Sequence, residues 1–84
     1  MYRIIVSGKI RKQMLSLPKN VALRIDSAII NLEVNPFPSG VKKLIGYENQ
    51  YRIRVGNYRI LYEVQGNKLL IIVMKVAHRK DAYD

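Results

Sequence analysis

The chain contains no cysteine, so neither a disulfide framework nor a thiolate-held metal can support it, and a reducing compartment fits that absence. It has one histidine, His78, and six Asp and Glu that form no close group at ligand spacing. A metal centre is therefore not expected, and neither is a cofactor. No serine sits in a nucleophile-elbow context, no glycine loop has phosphate-binding spacing, and no natural pair of carboxylates offers acid and base for hydrolysis. The longest apolar run, residues 69–74, is far too short to span a bilayer, and the first residues carry no signal-peptide pattern. A cytoplasmic protein with no membrane partner is the expectation.

What the chain has instead is positive charge. Fifteen Lys and Arg stand against six Asp and Glu, a net +9 on 84 residues. A surface that serves solubility alone mixes signs, so this imbalance points to nucleic acid or to an acidic protein. Arginine suits bidentate phosphate contacts. Apolar content of 49% is ordinary for a folded chain, and the length allows one domain, residues 1–84, with a single modest core.

Residues 1–6 read as a short strand. Ser7 can cap a helix whose apolar positions Ile10, Met14 and Leu17 fall at helical spacing. Pro18 suits the first turn of a second helix, with Val21, Ile25, Ala28 or Ile29, and Leu32 as its stripe and Asn35-Pro36 as its end. So short a connection predicts an antiparallel helical hairpin. Residues 41–45 read as a short strand bearing Lys42 and Lys43. The remainder alternates: Tyr51, Ile53 and Val55 on one face, Arg52 and Arg54 on the other. Gly56-Asn57 and Gly66-Asn67 each mark a two-residue hairpin turn. Two such turns pair Val55 with Tyr58, Arg54 with Arg59, and Gln65 with Lys68. The last strand, apolar at nearly every position, is expected at the sheet centre, covered on both faces and ending at Ala77. The order β-α-α-β-β-β-β predicts an α+β domain, a helical hairpin on one face of a largely antiparallel sheet.

Pairing Arg54 with Arg59 sets two guanidinium groups opposite each other, an unfavourable arrangement unless an anion lies near. The returning strand brings His78, Arg79 and Tyr83 to the same end. An Arg, His and Tyr cluster suits RNA cleavage without a metal, in which the substrate's own 2′-OH attacks the adjacent phosphorus. Arg54 and Arg59 would neutralise the pentacoordinate phosphorane. His78 has the one side chain whose unperturbed pKa lies near neutrality. Arg79 stabilises charge, and Tyr83 orients the hydroxyl or stacks on a base. Arg52, Arg54, Lys42, Lys43 and Lys80 are the expected RNA-binding cations. Residue patterns alone reach as far as a basic patch that grips phosphate.

The segments KKLIGYENQYRIRVGNYRILYEV and VMKVAHRKDAY resemble the RelE-like toxins of toxin–antitoxin pairs, in the wider RelE/ParE superfamily, and the likeness extends over the whole chain. The resemblance implies the RelE-like microbial RNase fold and an endoribonuclease that cuts messenger RNA in the ribosomal A site. It implies a cognate, small, acidic, RelB-like antitoxin. It places the family's basic strand residues on Arg52 and Arg54, its phosphate-binding arginine on Arg59, its acid or stabiliser on Arg79 and its C-terminal tyrosine on Tyr83. Some members carry Lys where this chain has Arg52 and Arg54, and the glycine common before the HR pair is Ala77 here. Two alternatives stand beside the ribosome-dependent nuclease: a ParE-like inhibitor of DNA gyrase without nuclease activity, and an RNA-binding domain without catalysis.

Overall fold

Ser7 ends the first strand and begins the first helix: its hydroxyl accepts a hydrogen bond from the Ile10 amide at 3.3 Å. The computed structural model describes residues 1–80. Its elements are β1 (Arg3–Val6), α1 (Gly8–Leu15), α2 (Lys19–Asn31), β2 (Lys42–Lys43), β3 (Gln50–Val55), β4 (Tyr58–Gln65) and β5 (Leu70–His78). That is the β-α-α-β-β-β-β order expected. Pro18 caps α2 from one position outside it. The helix ends at Asn31, ahead of Asn35-Pro36, and single-turn bonds such as Glu33 N–H to the Ile30 carbonyl carry the chain onward. No described helix is long and apolar enough to cross a membrane.

The five strands lie in the order β1-β5-β4-β3-β2. β1 runs parallel to β5 and every other pair is antiparallel. Alternation sends Ile53, Ile60, Tyr62, Val64, Ile71 and Val73 to one face, where Ile10, Ile25, Ile29 and Leu32 of the helical layer cover them. The fold is α+β, with both helices on that face.

Three expectations change. The second hairpin does not turn at Gly66-Asn67: Gln65 pairs with Leu70 across a 3₁₀ turn, Gly66–Lys68, and Leu69 takes the left-handed conformation at φ 51. The parallel partner explains this, because the Leu69 carbonyl accepts the Arg3 amide at 2.8 Å and the ladder with β1 starts at Leu70. β5 is interior but covered on one face only, with Met74 and Lys75 exposed. It also runs through His78 rather than stopping at Ala77. A register shift opposite Leu61 and Tyr62 reverses its alternation, so Val73 and Val76 both reach the core. The Gln13 side-chain amide donates to the Val76 carbonyl and ties α1 to the strand beyond that shift.

Tyr62 anchors the loop after α2. Its hydroxyl donates to the Pro36 carbonyl at 2.7 Å, and Tyr51 lies between it and Phe37, tilted against the Tyr62 ring at 6.0 Å and edge-on to the Phe37 ring at 5.0 Å between centroids. Burial, then the neighbouring Tyr51, pushes the Tyr62 phenol well above its ordinary value of 10.0. The folded chain thus holds this proton more tightly than the unfolded chain. Its contribution is whole below about pH 10 and shrinks above it by ~1.4 kcal/mol per pH unit. Thermal melts between about pH 9 and 11 should show wild type losing stability faster than Tyr62→Phe. Parallel losses in the two proteins would contradict this.

Candidate functional site

Gly56 and Asn57 join β3 to β4, and only Gly56 needs positive φ, at +60. A glycine at the first central position is the type II′ pattern, whose twist matches the flanking strands. A Cβ at Gly56 would stand 3.3 Å from the Arg24 guanidinium, which reaches over from α2. This turn sets the expected register: Val55 opposite Tyr58 and Arg54 opposite Arg59. Both arginines face away from the helices, on the open side of the sheet.

β5 adds the third wall. Arg59 lies opposite Ala77 and Tyr58 opposite His78, and beyond the strand the Arg79 amide donates to the Asn57 carbonyl at 2.7 Å. That bond clips the chain after β5 to the hairpin tip. The result is an open cleft of about 330 Å³ lined by Arg54, Gly56, Asn57, Tyr58, Arg59, Arg79 and Lys80. Three guanidinium groups and an ammonium therefore share one small space, an arrangement suited to an anion of high charge density.

His78 sits at the same end of the sheet but does not line this cleft. Because β5 persists one residue past Ala77, alternation turns His78 toward the helical side, where its ring meets Tyr58 edge-on at 5.2 Å. Its Nδ1 accepts the Lys80 amide at 3.2 Å, so the imidazole braces the segment bearing Arg79 and Lys80. Tyr83 lies outside the described residues.

Arg52 is buried on the open face, opposite Leu61 on β4 and Lys42 on β2. Burial first, then the charges of Arg59 and Arg54, hold its pKa below the ordinary arginine value. A phosphate nearby would offset both repulsions and the cost of burying the charge. Lys42, Lys43 and Arg52 border a separate pocket along the sheet from the cleft. Asn57 and Tyr58, which were not singled out in the sequence, line the cleft; their place between Arg54 and Arg59 was the available signal. Arg24 carried no such signal, being one cation on a helix. Among the described residues no three His, Cys, Asp or Glu side chains gather as a metal site.

The sequence pattern of the family described as the ParE toxin of type II toxin–antitoxin systems matches residues 4–83. Toxin RelE3 of Methanocaldococcus jannaschii is 43% identical over 79 residues, 94% of this chain and 80% of that protein. The chain belongs to the RelE/ParE family of toxins. Among solved structures, the RelE of the archaeal RelE–RelB complex from Pyrococcus horikoshii is similar to this RelE-like chain, with a TM-score of 0.84 and 32% identity. The match covers 96% of this chain and 98% of that one. A RelB–RelE complex from Methanococcus jannaschii matches at a TM-score of 0.74 and 33% identity, covering 95% and 99%.

Proposed function

We propose that this RelE-like toxin is a messenger-RNA endoribonuclease that acts in the ribosomal A site and uses the cleft between Arg54, Arg59 and Arg79. The carrying observation is the convergence of those three guanidinium groups with Lys80 in one open cleft. The 2′-OH loses its proton and its oxygen bonds to the adjacent phosphorus. The bond to the 5′-oxygen breaks and that oxygen takes up a proton. The products are a 2′,3′-cyclic phosphate and a 5′-hydroxyl. Charge on the non-bridging oxygens peaks in the transition state, and Arg59 with Arg54 answers it there. Arg79, held by its amide on Asn57, stabilises the departing oxygen. Arginine does not give up its proton; Lys80 is the described cleft residue whose side chain can exchange one. Tyr83 is assigned the orientation of the 2′-OH on the strength of the resemblance alone.

The natural inhibitor on this reading is a small acidic RelB-like antitoxin, produced with the toxin in the cytoplasm where the ribosomes are. The RelE–RelB complexes among its relatives support that partner, as does the net charge of +9. The gyrase alternative is not favoured, because the relative of 43% identity is a RelE toxin.

Cleavage should continue in a chelator at levels that leave ribosomes intact, and end-group analysis of the fragments should find 2′,3′-cyclic phosphates. Fragments ending in a 3′-hydroxyl, or activity that stops with chelation while ribosomes remain whole, would contradict internal attack.

A further inference from the structure

Two residues along β3 from Arg54, on the same open face, the sheet carries a second pocket of about 570 Å³. Its walls are of two kinds. Ile45, Tyr47 and Leu61 supply apolar and aromatic surface, and Lys42, Lys43 and Arg52 supply positive charge around it. Ile45 is 97% exposed and Tyr47 57% exposed, which is a large apolar display for a loop of this length. The loop is nevertheless fixed: the Leu44 amide donates to the Gln50 carbonyl at 2.9 Å and the Tyr47 amide to the Leu44 carbonyl at 3.4 Å. An aromatic side chain is thus held ready beside a ring of cations.

Register ties this pocket to the cleft. Arg54 pairs with Arg59, and Arg52 with Leu61, so the two sites are neighbours at a strand rise of ~6.6 Å. An RNA strand whose phosphate lies between Arg54 and Arg59 has its next phosphate within reach of Arg52 and Lys42. The adjoining base then meets the Tyr47 ring. Exposed aromatics flanked by cations are the usual means of holding single-stranded RNA, because every base has a π-face and every linkage a charge.

We propose that this pocket holds a nucleobase adjacent to the scissile phosphate, with Tyr47 stacking on its face. The Gln50 side-chain amide, which both donates and accepts, also lines the pocket and reads the base edge. The pocket therefore sets which sequence is cut, whereas the cleft does the cutting. This rests on the RNA reading of the cleft. An acidic protein segment would satisfy the lysines equally well, but only a polynucleotide engages both sites at their fixed spacing.

The test uses a short single-stranded 2′-O-methyl RNA, which cannot be cut by internal attack, carrying 2-aminopurine at successive positions. Wild type should bind it and quench the fluorophore at one position. Tyr47→Ala should lose that quenching and bind about 5- to 150-fold more weakly, and Tyr47→Phe should keep both. Circular dichroism checks that the variants fold, as expected of an exposed loop residue. Equal binding and quenching by wild type and Tyr47→Ala would overturn the proposal and leave the cleft assignment standing. Failure of wild type to bind the oligonucleotide at all would overturn both. A Tyr47→Ala protein that keeps RNA binding but loses the antitoxin would overturn it in favour of a protein-docking pocket.

Discussion

Replacing Arg59 with alanine is expected to abolish growth arrest while leaving the protein folded. Arg59 stands on the interior strand β4, opposite Arg54 on one side and Ala77 on the other, at the middle of the cationic cleft. A charged donor fixed in advance at the developing negative charge contributes far more in the transition state than in the ground state. Losing one such donor lowers the rate by roughly 10²–10³-fold. Folding has less reason to suffer, because the substitution also removes repulsion with Arg54 and Arg52. Arg54→Ala, at the more exposed position, should be damaging but milder. Cleavage rate and melting temperature measured on the same preparations separate the two effects. A soluble Arg59→Ala protein that still arrests growth would remove Arg59 from the mechanism.

The next residue along the strand should behave in the opposite way. Ile60 points to the helical face and is fully buried, whereas Arg59 lies on the open side. Ile60→Ala leaves a cavity in the core cluster it shares with Ile25, Tyr62 and Val76, at a cost of about 2–5 kcal/mol. A small domain has only ~5–15 kcal/mol in total. The expected fall in melting temperature is on the order of 10–30 °C. Toxicity should fade through loss of folded protein, and protein that remains folded at low temperature should cleave at a near-normal rate. A normal melting temperature in Ile60→Ala would show that the core does not centre on β4.

The contrast between these neighbours was legible in the sequence, because alternation from Tyr51 to Val55 and the Gly56-Asn57 turn fix both face and register. The helical hairpin was equally legible, from Ile10 and Met14 in one helix and Ile25, Ile29 and Leu32 in the other. The second hairpin was not. Gly66-Asn67 carries the same local signal as Gly56-Asn57, but pairing with β1 draws the chain on to Leu70, and no local pattern reports a parallel partner sixty-odd positions away. The position of His78 depended on two things invisible locally: the shift opposite Leu61 and Tyr62, and the continuation of β5 by one residue. A single-residue slip exchanges the faces of a strand, so His78 moved from the cleft to its support. Arg54, Arg59 and Arg79 were expected together and do line one cleft, yet the link that gathers them, the Arg79 amide on the Asn57 carbonyl, is a backbone contact that side-chain patterns do not encode. The pocket at Tyr47 was hidden for a related reason. Ile45 read as the end of a short strand and Tyr47 as part of the turn after it, and their exposure beside Lys42 and Arg52 emerges only when β2 folds onto β3.

The most direct test is primer extension on one message, translated and untranslated, after induction of wild type or Arg59→Ala. Wild type should leave 5′ ends phased to the reading frame in the translated message and none in the untranslated one, and Arg59→Ala should leave none in either. Growth arrest by wild type with intact messages would contradict the nuclease reading, and accompanying DNA damage would direct attention to gyrase.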